Sequence, residues 1–197
     1  MPKYYYFIDK FEKDDIKNIN KNIAIIYRNY TRKIDIKLIQ NIKDILKKKK
    51  IKFFLANNIK LAIKLNLDGV YIPSFNKEFK INSYSKKKKF LIIGSAHNLK
   101  EIKIKEKQGT QIIFLSSLFK NNKTNKFLGP IKFNILSKMT KKKLVALGGI
   151  NQTNIQKLFL LNTYGFASIS FLKNTDKLNI NRVITKQMHH TSNIINK

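Results

Sequence analysis

Eight short apolar runs, each of strand length and none alternating cleanly with polar residues, are the feature that most restricts the fold of this chain. They recur at Tyr4 to Ile8, Ile23 to Tyr27, Ile51 to Leu55, Gly69 to Ile72, Phe90 to Ile93, Gln111 to Leu115, Leu144 to Leu147 and Gly165 to Ser170. Near-continuous hydrophobicity is how strands covered on both faces of a parallel sheet read. Between the runs the apolar spacing becomes helical: Ile34, Leu38, Ile42, Ile45 and Leu46; Ile59, Ala62, Ile63 and Leu65; Leu99, Ile102 and Ile104; Phe133, Leu136 and Met139; Ile155, Leu158, Phe159 and Leu161. Eight such βα units without a linker predict a single closed α/β barrel, the (β/α)₈ or TIM barrel, rather than an open doubly wound sheet. The domain is expected over residues 1–185, followed by a frayed polar tail, 186–197. Two connections fit less well. Lys10 to Asn22 is short, and Asn76 to Ser85 is too polar for an amphipathic helix.

Composition narrows the functional classes. No cysteine is present, so neither a disulfide nor a thiolate metal site can form. The apolar run at the amino terminus is too short for a signal peptide, and no later run approaches membrane-spanning length, which leads to the expectation of a cytoplasmic protein without a membrane partner. A formal net charge of +30 would ordinarily suggest nucleic acid. The excess is lysine, however, with Arg28, Arg32 and Arg182 the only arginines, and it accompanies abundant Ile and Asn. A/T-rich codons account for all three, so no specific nucleic acid is expected; a basic nucleic-acid-binding protein is the distant alternative.

In a barrel, reactive groups stand at the carboxyl ends of strands. Those positions carry Asp9, Tyr27-Arg28-Asn29, Asn57-Asn58, Pro73-Ser74-Phe75-Asn76, Gly94-Ser95-Ala96-His97-Asn98, Ser116-Ser117, Gly148-Gly149 and Ile169-Ser170. The set is rich in amides, hydroxyls and cations and holds one carboxylate, which suits anionic ligands better than carboxylate-driven hydrolysis. Gly148 and Gly149 close a strand just before an amphipathic segment, so their N–H groups and the following helix dipole form an anion seat; a ligand-free βα turn is the competing reading. Arg28 can grip phosphate bidentately or pair with a strand-end acid. Lys120, Lys123 and Lys126 lie on a loop that either closes over a charged ligand or is solvated surface. His97 is the sole candidate for neutral-pH proton transfer, yet Ser95-Ala96-His97-Asn98 also reads as a helix cap with Glu101 in the first turn. His189 and His190 fall in the polar tail and read as accidental.

Four stretches in register, Leu91-Ile92-Ile93-Gly94-Ser95-Ala96-His97, Ile113-Phe114-Leu115-Ser116-Ser117-Leu118-Phe119, Val145-Ala146-Leu147-Gly148-Gly149-Ile150 and Ala167-Ser168-Ile169-Ser170, resemble the thiamine-phosphate synthase and thiazole tautomerase (TenI-type) family across residues 4–172. The resemblance implies a (β/α)₈ barrel and phosphorylated pyrimidine and thiazole ligands. Synthase members join a pyrimidine pyrophosphate to thiazole phosphate with Mg2+, through a dissociative, pyrimidine-cation-like step; tautomerase members isomerise a thiazole carboxylate phosphate. By position, the resemblance places Gly148, Gly149, Ile169 and Ser170 on the thiazole phosphate, Arg28, Asn57 and Lys123 or Lys126 on the pyrophosphate, and Ser95 near the pyrimidine, with His97 as proton-transfer candidate. The metal positions of the resemblance are Asn58 and Asn76, where synthases carry aspartates, and the loss of both charges weakens the expected Mg2+ site. Ser117 stands where proline is usual and Tyr30 where lysine is usual. These features lead to a synthase-like transferase, with a tautomerase-like isomerase or a non-catalytic phosphoryl-ligand binder as alternatives.

Overall fold

The computed structural model describes residues 1–12, 19–30, 34–121 and 125–169. Within them eight parallel strands close into a barrel in chain order: β1 (Tyr4–Ile8), β2 (Ile23–Tyr27), β3 (Phe53–Ala56), β4 (Gly69–Ile72), β5 (Leu91–Ala96), β6 (Ile112–Leu115), β7 (Lys143–Leu147) and β8 (Gly165–Ser168). The ring shuts where β1 pairs with β8, Tyr4 opposite Phe166 and Tyr6 opposite Ser168. Four α-helices flank it: α1 (Ile36–Lys48), α2 (Ile59–Lys64), α3 (Leu99–Lys107) and α4 (Gly129–Lys138).

Each strand alternates between two buried environments, and this is why its sequence does not alternate in polarity. Tyr5, Phe7, Ala24, Ile26, Phe54, Tyr71, Ile93, Phe114, Val145 and Ala167 pack together inside the barrel. Their neighbours Tyr4, Tyr6, Ile8, Ile25, Phe53, Val70, Ile92, Ile113 and Ala146 face outwards against the helices. Helix α1 illustrates the outer layer. Asp35 caps it by accepting from the Leu38 N–H at 3.1 Å, Ile39, Ile42 and Leu46 are buried, and Lys47 and Lys48 complement the negative helix end.

Two connections depart from a regular α-helix. The apolar spacing from Ile155 forms a short 3₁₀ helix, Ile155–Leu160, because Asn151 Oδ1 accepts from the Thr153 and Asn154 N–H groups and holds an Asx turn ahead of it. After β4 the polar stretch, residues 73–78, makes a strap that turns at Ser74–Phe75, where the Asn76 N–H donates to Pro73 O at 3.1 Å, and then enters a 3₁₀ helix at Phe79–Ser83. Side chains tie it down: Asn82 Nδ2 donates to Lys107 O, and Lys86 Nζ donates to the carbonyls of Ile81 and Tyr84. Residues 13–18 of the connection between β1 and β2, and the whole polar tail, fall outside the described residues.

The aromatic interior makes the fold alkali-sensitive. Burial raises the Tyr4 hydroxyl from its ordinary value of 10.0 to about 12, and raises Tyr5 and Tyr71 as well. The unfolded chain therefore releases these protons at lower pH than the folded one, so stability is intact below pH 10 and is lost as pH rises through the folded values. Global unfolding should begin above pH 10, with tyrosinate absorbance from Tyr4, Tyr5 and Tyr71 and the loss of circular dichroism appearing together; ionisation of these three in a still-folded barrel would contradict this.

Candidate functional site

Because all strands are parallel and closed, their carboxyl ends share one face, and Arg28, Asn57, Asn76, Gly148, Gly149 and Ile169 emerge there on successive connections. The diglycine and Ile169 follow adjacent strands paired Leu147 to Ala167. Ser170 and Lys123 lie outside the described residues.

The floor of this mouth is aromatic. Phe7, Tyr71 and Phe114 meet edge to face, with ring centroids 5.1 to 6.0 Å apart. Arg28 is fixed by its N–H donating to Ile8 O at 2.7 Å, and its guanidinium lies over the Phe7 ring, 5.2 Å from the centroid. Among the described residues it has no ion-pair partner. Ser95 belongs to β5 itself rather than to the loop after it, is 5% exposed, and shares a hydrogen bond with the Tyr71 hydroxyl. Burial raises Tyr71, while the Ser95 bond and the charge of Arg28 oppose the rise. Tyr30 is likewise raised by burial, next by Tyr71, with Arg28 opposing, so Arg28, Tyr71 and Tyr30 share one field. Tyr30 also meets the exposed ring of Phe75 at 5.4 Å. Tyr71 escaped the sequence reading because a strand tyrosine inside an apolar run looks like core; its position two residues before Pro73 was the available signal.

Next around the ring from Arg28, the ends of β3 and β4 are joined by an amide pair. Asn76 Nδ2 donates to Asn57 Oδ1 at 2.7 Å, and Asn76 Oδ1 accepts from the Glu78 N–H at 2.9 Å. Asn57 has φ +57° and its N–H donates to Tyr71 O. The residue facing Asn76 is thus Asn57. Asn58, expected at the metal position, instead caps α2 by accepting from the Leu61 N–H at 3.0 Å, which engages its only acceptor atom. Mg2+ requires oxygen ligands, commonly anionic. Here both amide oxygens of the facing pair accept N–H donors, and the described residues contain no cluster of three His, Asp, Glu or Cys able to hold an ion. The donor set does not fit Mg2+.

On the far side, Gly148 (φ +95°) and Gly149 (φ +70°) turn the chain after β7. Their N–H groups donate to no acceptor among the described residues, while Gly148 O accepts from Phe119 N and Gly149 O from Asn154 Nδ2. The expected contribution of a following helix dipole is absent, since the element there is the six-residue 3₁₀ helix. Main-chain donors remain. Ser117, joined to Ser116 by a cis peptide, accepts from Asn121 Nδ2 at 2.8 Å beside this turn.

His97 serves the cap of α3. Its N–H and Nδ1 both meet Glu101 Oε2, at 2.8 and 2.9 Å, while Asn98 Oδ1 accepts from the Glu101 N–H; half of the imidazole is exposed. This fulfils the capping reading and leaves Ser95 and Tyr71 as the buried polar pair of β4 and β5. Lys126 is exposed on the segment before α4. Two lysine-lined depressions of about 360 and 300 Å³, around Lys3, Lys21, Lys50 and Lys52 and around Lys43, Lys47 and Asp68, lie at the amino ends of the strands, away from the mouth.

Fold and site define a (β/α)₈ barrel whose strand-end residues are amides, hydroxyls and one arginine, with Asp9 as the carboxylate. The chain belongs to the thiamine monophosphate synthase family, whose model matches residues 20–172. It is 27% identical over 184 residues to the thiamine-phosphate synthase of Flavobacterium johnsoniae, covering 85% of this chain and 86% of that protein. With the thiamine-phosphate synthase of Methanococcus vannielii it shares 28% identity over 121 residues, 60% of this chain and 58% of that one. The solved thiamine phosphate pyrophosphorylase from Pyrococcus furiosus superposes with a TM-score of 0.74 at 18% identity, over 93% of this chain and 96% of that chain. Among the described residues no helix is long and apolar enough to cross a membrane.

The diglycine carries a structural load of its own. A Cβ on Gly149 would stand 2.4 Å from Phe119 O and 2.6 Å from Lys120 O, in a backbone region that L residues rarely adopt. Gly149→Ala should therefore lower the unfolding free energy by about 2 kcal/mol or more with no ligand present, measured by urea denaturation. An unchanged midpoint would show that the loop yields freely.

Proposed function

We propose that this chain is a transferase of the thiamine-phosphate synthase type, forming the bond between the thiazole nitrogen and the pyrimidine methylene as the methylene–oxygen bond to pyrophosphate breaks. The observation that carries the reading is the placement of Arg28 and the Gly148-Gly149 N–H groups around one mouth, with the Ser95–Tyr71 pair between them. A dissociative step generates charge at two points, a cationic pyrimidine and an anionic leaving group, and catalysis consists of stabilising both. Arg28, held over Phe7, neutralises the departing pyrophosphate. The diglycine donors hold the thiazole phosphate together with Ile169 and, as the resemblance implies, Ser170; Asn57 and the lysines of the 120–126 loop extend the pyrophosphate seat, Lys123 and Lys126 among them. The Ser95 hydroxyl, oriented by Tyr71, faces the pyrimidine. No step is assigned to Mg2+, because the amides present do not fit it.

A tautomerase-like isomerase is the second reading, and the uncharged Asn57–Asn76 pair favours it, since an isomerase has no diphosphate leaving group to neutralise. Pyrophosphate release from the two thiamine precursors decides between them: release supports the transferase, and its absence together with retained thiazole-phosphate binding supports the isomerase. Arg28→Ala should weaken pyrimidine pyrophosphate binding by roughly tenfold or more and thiazole phosphate much less. Equal losses for the two ligands would overturn this division of roles.

A further inference from the structure

Lys105 is the one lysine among the described residues with no solvent-accessible surface. It sits on α3, where side chains lean towards the helix amino terminus, so its stem climbs towards the carboxyl ends of the strands. Nζ donates to Pro73 O at 2.8 Å, to Asn76 O at 2.7 Å and to Gln108 Oε1 at 2.8 Å. An ammonium has three protons, and all three are used. Gln108, also fully buried, adds bonds from Nε2 to Asn76 O at 3.1 Å and Glu78 O at 3.0 Å. The stem has space because Gly94 faces it: a Cβ there would stand 2.9 Å from Lys105 Cδ.

No carboxylate touches this ammonium. Burial lowers its pKa to about 8, and the Glu101 carboxylate, one turn earlier on the helix, opposes the shift. A packing role alone would be filled at lower cost by an apolar side chain, since burying a charge is expensive. The three oxygens it binds include two main-chain carbonyls of the strap, and one belongs to Asn76, whose amide meets Asn57 at the rim of the mouth. The positive charge thus lies one residue away from a rim that has amides and no fitting metal site.

We propose that Lys105 is the resident cation of the ligand site: it positions the Asn57–Asn76 rim through the strap, and its fixed charge draws a phosphoryl anion there without a metal ion. The proposal rests on the mouth being an anion site, as in the function proposed above. It makes Lys105 a positioning residue, since its protons stay on the protein.

Inorganic pyrophosphate is the probe, titrated calorimetrically into the full chain at physiological salt, once with EDTA and once with Mg2+. The wild type should bind equally in both, and Lys105→Met should bind about tenfold more weakly in both. Pyrophosphate binding that requires Mg2+, no binding by the wild type, or unchanged affinity in Lys105→Met would each overturn the proposal. To separate lost charge from a displaced strap, Asn57→Asp and Asn76→Asp are added to Lys105→Met: Mg2+ should then restore affinity, whereas a triple variant that Mg2+ does not rescue would reduce Lys105 to a structural prop. If Lys105→Met fails to fold, Asn57→Asp/Asn76→Asp in the presence of Lys105 serves instead; it should weaken metal-free pyrophosphate binding, and unchanged binding would count against the idea. Precursor turnover is read separately. Turnover with a Lys105-independent affinity sinks this inference alone, and metal-free, Lys105-dependent binding without turnover sinks only the transferase.

Discussion

Closure of β1 onto β8 is the constraint from which the rest of the molecule follows. Pairing Tyr4 with Phe166 and Tyr6 with Ser168 removes both free sheet edges and leaves every strand with an inner and an outer buried face. Additional bonds seal the same seam, from Phe166 N to Lys3 O and from the Tyr164 hydroxyl to Met1 O. Once the ring is shut, the positions of the strand ends are no longer independent. A loop residue after β2 and one after β7 are held on one face by the same packed interior, so a site can be assembled from residues far apart in sequence and carried on short connections.

The interior does more than fill the ring. Its aromatic side chains are graded in polarity, with Phe54 and Phe114 purely apolar and Tyr71 turning its hydroxyl to Ser95. Arg28 uses the face of Phe7 as its seat, which removes the need for a carboxylate partner and leaves the guanidinium able to accept a charged ligand. An acid placed there would have fixed the arginine more firmly and cancelled it.

Much of the fold was legible in the sequence because two-sided burial forces continuous apolar runs, and eight of these on short connections without a linker fit a closed ring better than an open doubly wound sheet. What sequence misjudged were places where polar groups satisfy the backbone. Asn151 converts an apparently amphipathic helix into a turn and a 3₁₀ helix, and β5 runs on through Gly94 and Ser95 because their polarity is compensated within the barrel wall. At the site, the choice between Asn57 and Asn58 was invisible in spacing; it is set by the left-handed φ of Asn57, which points one amide at β4 and frees the next to cap α2. His97 could be read as a proton-transfer group or, with Asn98 and Glu101, as part of a helix cap, and the short contacts show the cap. Lys105 was hidden by composition. In a chain with 41 lysines and arginines, a single buried lysine has no signature of its own.

That same composition conceals a chemical economy at the β3–β4 rim. Two carboxylates placed 2.7 Å apart would repel unless a cation joined them or one retained a proton, whereas two amides at that distance attract, because each carries both a donor and an acceptor. Amides rather than acids at Asn57 and Asn76 therefore make a rim that closes on itself instead of one that demands a cation. The charge then has to come from elsewhere if a phosphoryl anion is to be drawn in, and a cation covalently tethered within the protein loses no affinity to dilution. Lys105 meets that condition, bound by carbonyls of the very strap that carries Asn76, with Gly94 leaving room for its stem.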